Sequence, residues 1–278
     1  MDVLTISLML CAGLLQASWH GLVQSGQSRI TIIAGMGAVA GIFAAAALPF
    51  VPPPPPQIWP VLLLSVGLHI AYKLCLIGAY GRGDFGQVFP LARGMVPLFS
   101  TLIAFIGLRQ VPSINQSLGV ALVSCGLLLL ALDRLLGAAR WPLLLGAAGA
   151  GATVAAYSAV DAYGTRLFGD WLGFTSWLIV LDSLAFLLLT RILTGPALWS
   201  ELSASRLRVI ISGILGLLSF CVFLWALSRN PIGAVTTIRE SSVLFAMTIG
   251  VLRHREPLPL RRLNGAILVL LALIVIAL

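Results

Sequence analysis

Ten apolar runs, most of them 19 to 24 residues long, follow one another along the 278-residue chain, separated by arginine, proline and glycine. They lie at about 3–23, 30–50, 58–80, 85–108, 114–132, 141–164, 172–194, 209–228, 232–252 and 263–278. A bilayer-spanning helix needs roughly 20 such residues and a spanning strand only about 10, so the lengths select helices. In lipid a helix also satisfies its own backbone hydrogen bonds, which an isolated strand cannot do. Composition agrees: 59% of residues are hydrophobic and 9% charged, with a mean hydropathy of +1.05. A soluble enzyme, a disordered tail and a secreted disulfide scaffold are excluded, because each needs far more polar surface or far less apolar sequence. The expected fold is an all-α integral membrane protein with ten transmembrane helices.

The net charge of +8 comes from 17 Lys+Arg against 9 Asp+Glu. On a soluble protein it would point to nucleic acid, but most of these arginines stand between apolar runs, where they report topology. Loops after odd-numbered spans hold Arg29, Arg82, Arg134, Arg140, Arg206, Arg208, Arg253, Arg255, Arg261 and Arg262; loops after even-numbered spans hold Arg109, Arg166 and Arg229. The excess of basic residues in short loops marks the cytoplasmic side, so both termini are expected outside. The first apolar run follows Met1 and Asp2 without a basic stretch, unlike a cleaved signal, and is expected to remain as a span. Cys11, Cys75, Cys125 and Cys221 each lie within an apolar run and read as packing residues. The run Pro52 to Pro56 is expected as a stiff extended connector, and Trp59, Trp141 and Trp171 as interfacial anchors at span ends.

An internal repeat emerges when residue 93 is laid on residue 239. Arg93 then meets Arg239, Phe99 meets Phe245, Ile103 meets Ile249, Arg109 meets Arg255 and Gly119 meets Gly265. Just upstream the offset grows by one residue, bringing Ala79 onto Ala226 and Arg82 onto Arg229. Five spans per repeat is an odd number, so the halves must be oppositely oriented, as two inverted five-helix repeats. The expected division is 1–132 for the first repeat, 133–140 for a cytoplasmic linker and 141–278 for the second.

Four stretches give the chain a family likeness: Ala17-Ser18-Trp19-His20, Pro90 to Leu98 around Arg93, Ala156-Tyr157-Ser158-Ala159-Val160-Asp161, and Ile238 to Phe245 around Arg239. Together with the glycines of spans five and ten they resemble the EamA type of the drug/metabolite transporter superfamily. The resemblance implies ten helices in two inverted repeats, no cofactor, and export of amino acids or related metabolites across the inner (plasma) membrane. Three positions depart from the family pattern: His20 and Gln24 on span one, and Gln110 where an acidic residue is expected, although Glu256 keeps it in the second repeat.

Charges in the middle of spans mark the candidate site. Arg93 lies about 8 residues into span four, or roughly 12 Å deep, and Arg239 and Glu240 lie at similar depth in span nine. A charge there costs roughly 2.5 to 3.5 kcal/mol on insertion scales, so it must face a wet cavity or an internal partner. An Arg93–Glu240 ion pair would leave one arginine over, and a surplus guanidinium suits an acidic substrate group. Glu240, Asp182 and Asp161 are the candidates for a coupling proton. Asp182 is equally open to helix–helix hydrogen bonding and Asp161 to pairing with Arg166. Asp161 shares a helical face with Tyr157, the candidate cavity wall, and His69 shares one with Lys73, which is open to snorkelling. Trp19 is open to stacking on a substrate or to anchoring at the interface. Pro90 and Pro97 are expected to bend span four, and Gly146, Gly149 and Gly151 to allow close packing of span six.

The sequence thus points to a secondary transporter, expected as an exporter, for a small polar metabolite with an acidic group. Arg93, Arg239, Tyr157, Trp19 and His69 are the expected substrate contacts. No nucleotide loop, nucleophile elbow or metal-ligand spacing stands out, so neither enzyme activity, metal, cofactor nor nucleic acid is expected. A membrane enzyme acting on a lipid-linked substrate and a scaffold or sensor whose charges only join helices both stay open.

Overall fold

The computed structural model describes residues 1–24, 28–80, 90, 92–132, 141–254 and 260–277. Its elements are α1 (Val3–Gln24), α2 (Arg29–Ala47), α3 (Trp59–Tyr80), α4 (Val96–Leu108), α5 (Ile114–Leu132) and α6 (Trp141–Phe168). They continue as α7 (Trp171–Thr194), α8 (Ala197–Ala204), α9 (Arg206–Arg229), α10 (Ile232–Arg239), α11 (Ser241–His254) and α12 (Leu260–Ala277). Among the described residues there is no strand. Among the described residues five stretches are long and apolar enough to cross a membrane: Val3–Val23, Arg29–Phe50, Pro56–Ala79, Trp171–Thr194 and Arg206–Arg229. Three shorter apolar helices accompany them, Ala92–Gly107, Ile114–Leu129 and Leu263–Ile276.

Local chemistry accounts for the ends. Trp59, Trp141 and Trp171 open α3, α6 and α7. Pro55 has φ −64° and ψ 157°, the extended proline conformation anticipated for the connector. Asp170 caps α7 by accepting from the Leu172 N–H at 3.0 Å.

Two features depart from the sequence reading, and the bend expected of span four takes the form of a break. Span nine is not continuous: it breaks at Glu240 between α10 and α11. The Glu240 N–H donates to the Thr237 carbonyl, only three residues back, at 3.1 Å, and the hydroxyls of Thr236 and Thr237 take the carbonyls of Ile232 and Gly233. Hydroxyls that bond back onto the preceding turn compete with the helical ladder, and the shortened bond tightens the last turn. Span four breaks likewise at Met95, two residues before Pro97, consistent with proline's missing donor. The second departure is α8, a short helix in a connection read as loop, with Leu198 buried and Trp199 exposed.

The closest helix pairs are α5 with α12, α3 with α6, α2 with α7 and α1 with α9. Each joins a helix before residue 133 to one after residue 140. Small residues allow the approach: a Cβ on Gly126 of α5 would lie 2.7 Å from the Gly265 carbonyl of α12, and one on Gly151 of α6 would lie 2.6 Å from the Ala92 carbonyl. The largest buried cluster gathers Leu62, Tyr157, Phe174, Phe223 and Val235 from five helices. Outward faces are apolar too, with Phe43, Leu64, Ile192 and Leu218 exposed, as a protein surrounded by lipid requires.

Candidate functional site

The two helix breaks set the site. Breaking α10 from α11 leaves Arg239 as the last helical residue before the turn at Glu240, and Arg93 stands two residues before the turn at Met95. Irregular backbone at membrane depth is tolerated where protein encloses it, and here Ile232 to Arg239, Glu240, Ser241 and Ser242 are all buried.

The two arginines have different partners. Arg93 Nε donates to Glu240 Oε2 at 2.9 Å, and both side chains are sealed from the outside, at 3% and 0% exposure. Arg239 Nε donates instead to the neutral Gln16 Oε1 at 2.9 Å, and its guanidinium lies over the Phe223 ring at 3.7 Å. Its Nη1 is buried and makes no hydrogen bond among the described residues. An amide and a ring face hold a guanidinium in place without neutralising it.

Arg239 forms one wall of a cavity of about 120 Å³. Gln16 and Trp19 of α1, His69, Tyr72 and Lys73 of α3, Tyr157 of α6, Asp182 and Ser183 of α7, and Phe220 of α9 also line it, with Met36 and Gly37 of α2. Its polar groups are thus few and its remaining wall apolar and aromatic, the make-up of a small-molecule site. The His69 ring stacks on Tyr157 with centroids 4.0 Å apart. Lys73 Nζ meets Asp182 Oδ2 at 2.5 Å and lies 4.6 Å from the Phe186 ring. Behind His69, its Nε2 lies 3.1 Å from Asp161 Oδ2, and the Ser65 hydroxyl donates to the other oxygen of that carboxylate.

Four of the five expected substrate contacts, Arg239, Tyr157, Trp19 and His69, therefore share one cavity. Arg93 is outside its lining, paired with Glu240. Of the acidic candidates only Asp182 reaches the cavity; Glu240 is held by Arg93, and Asp161 is fully buried against Ser65 and His69. The suggested Asp161–Arg166 contact does not form: Arg166 Nη2 donates to the carbonyls of Leu227 and Asn230, closing the C-terminal end of α9. Lys73 does not snorkel but crosses to α7. Tyr72 was missed, although its place three residues after His69 puts it on the same helical face. Glu256 and Arg255 lie outside the described residues.

Residues 141–278 match the model of the EamA-like transporter family. The chain belongs to that family of multi-pass membrane transporters, whose members act on small molecules. A solved structure described only as "Crystal structure of protein" shares the fold, with a TM-score of 0.77 at 17% identity over 99% of this chain and 96% of that one. No curated protein matches the chain.

Proposed function

We propose that this protein is a secondary transporter of the inner membrane that exports a small polar metabolite bearing an acidic group. Ten spans form two inverted repeats, 1–132 and 141–278, joined by 133–140, and the site lies between them. Support comes from the helix packing, in which α1 with α9 answers α6 with α3, and α1 with α11 answers α6 with α4. Exchanging each helix for its counterpart five spans away reproduces these pairings.

The observation that carries the substrate reading is Arg239, which lines the cavity with a buried Nη1 that makes no hydrogen bond among the described residues, while its Nε donates to the neutral Gln16 amide. Arg239 holds the acidic group, Tyr157, Trp19 and His69 shape the remainder of the cavity, and Arg93 neutralises Glu240. Export is the direction the family resemblance suggests, with both termini outside. A thermal-shift screen of the purified protein against organic acids, amino acids and amines tests the substrate class, since a bound ligand stabilises the folded state. Stabilisation by acids, lost in Arg239→Ala, supports the reading; stabilisation by neutral or cationic compounds alone refutes it.

A further inference from the structure

Among the described residues a half-buried ion pair, Lys73–Asp182, joins α3 to α7, and a fully buried one, Arg93–Glu240, joins the turn before α4 to the α10–α11 break; only the first is open to the cavity. Lys73 and Asp182 are 13% and 14% exposed at their side chains, against 3% and 0% for Arg93 and Glu240. Both Lys73 and Asp182 line the cavity, and neither Arg93 nor Glu240 does. Asp182 uses only Oδ2 on Lys73; its Oδ1 is buried and makes no hydrogen bond among the described residues. The carboxylate is thus half satisfied, at a wall that a solute in the cavity touches.

We propose that Asp182 is the proton site of the transport cycle: its protonation releases Lys73, which then joins Arg239 in holding the acidic group of the substrate. This rests on the reading of the cavity as an anion site. In this step a hydronium ion entering the cavity gives up one O–H bond and leaves as water, the Asp182 carboxylate gains that O–H bond, and the ion pair with Lys73 parts. The charged groups lining the cavity are Lys73, Arg239 and Asp182, so proton uptake raises their formal sum from one positive charge to two. A proton and an anion therefore favour each other's binding, and they travel in the same direction. Export of such a pair proceeds when the outward gradient of the metabolite exceeds the opposing proton gradient.

Other groups that face Asp182 are few. Helix α3 supplies His69 and Tyr72 beside Lys73, α6 supplies Tyr157, α10 supplies Arg239, and the cavity residues of α2 and α9 are not titratable. Asp161 is held behind His69 and is outside the lining. His69, the imidazole on this wall, is controlled by its own variant.

The test measures binding of acetate and benzoate, with benzyl alcohol as the neutral control, to the purified full-length protein between about pH 6 and 8, where both acids are ionised. Anion affinity is expected to rise as pH falls, approaching tenfold per unit for one linked proton. Asp182→Asn is expected to bind the anions with the low-pH affinity at every pH, Lys73→Gln to bind them weakly at every pH, and His69→Asn to keep the slope. Wild-type affinity that ignores pH, or a slope that survives in Asp182→Asn, overturns the proton site while leaving the anion site standing. Should Asp182→Asn fail to fold, an unaltered slope in Lys73→Gln overturns it equally. Binding of benzyl alcohol but of neither anion overturns the acidic-substrate reading itself.

Discussion

Arg93 and Arg239 occupy matching positions in the sequence repeat but have opposite surroundings. A carboxylate meets the first and an amide the second. Removing Glu240's charge leaves Arg93 buried beside a neutral group, and breaking a buried pair from one side typically costs about 3–5 kcal/mol. Glu240→Gln is therefore expected to lower the unfolding midpoint in detergent sharply, and Arg93→Met combined with Glu240→Met to recover most of the loss. Equal loss in the single and double variants would show that the pair is not what holds this region. Arg239→Lys should retain part of the stabilisation by acidic ligands, because the charge remains while the forked donors go. The sequence made the depth of these charges plain, since an arginine amid apolar residues stands out. It gave no distance between helices, which is why Lys73 was open to snorkelling and Asp161 to pairing with Arg166.

Elements show where hydrophobic periodicity stops being informative. Apolar run length located the helices, but nothing in an all-apolar run distinguishes a straight span from one broken at Glu240, because the break depends on threonine hydroxyls and on burial among neighbours. Glycine spacing was more legible. At Gly126 a side chain would strike the backbone of α12, whereas at Gly67 a Cβ would meet nothing within 4 Å beyond its own stretch of helix. Gly126→Leu is expected to destabilise by at least about 1–3 kcal/mol, the usual cost of overpacking, with Gly67→Leu near neutral in the same unfolding assay. Helix α8 is tied to the start of α2 by Thr31 Oγ1, which donates to Glu201 Oε2 at 2.5 Å, while Ser28 donates to Thr31. Hydrogen bonds from Thr31 and Ser28 hold the Glu201 carboxyl below its ordinary value. Because the docked value is the lower one, this attachment is fully present above the ordinary carboxylate pKa and is lost as pH falls through the docked value. Backbone hydrogen exchange in 197–204 should accelerate over that acidic window, and Glu201→Gln should remove the pH dependence.

Across the whole molecule, the polar contacts repeat the pattern of the helix pairs. Gln16–Arg239, His69–Asp161, Lys73–Asp182 and Arg93–Glu240 each have one partner before residue 133 and the other after residue 140. The arginine bias of the loops predicts that, in a cysteine-free background, Ser203→Cys is labelled by an impermeant thiol reagent only from the cytoplasmic side and Ser113→Cys only from the opposite side. Reversed labelling would invert the orientation. Nothing in the sequence showed that the helices before residue 133 pack mainly against those after residue 140. That arrangement bears on how the protein is made. During synthesis the residues before 133 are made before those after 140 exist, so Lys73 and Arg93 wait without the carboxylates that later meet them. A nascent chain in this condition is an obligate client of whatever insertion machinery shields polar groups, and premature termination anywhere before Glu240 leaves an orphan suited to degradation rather than a smaller working protein.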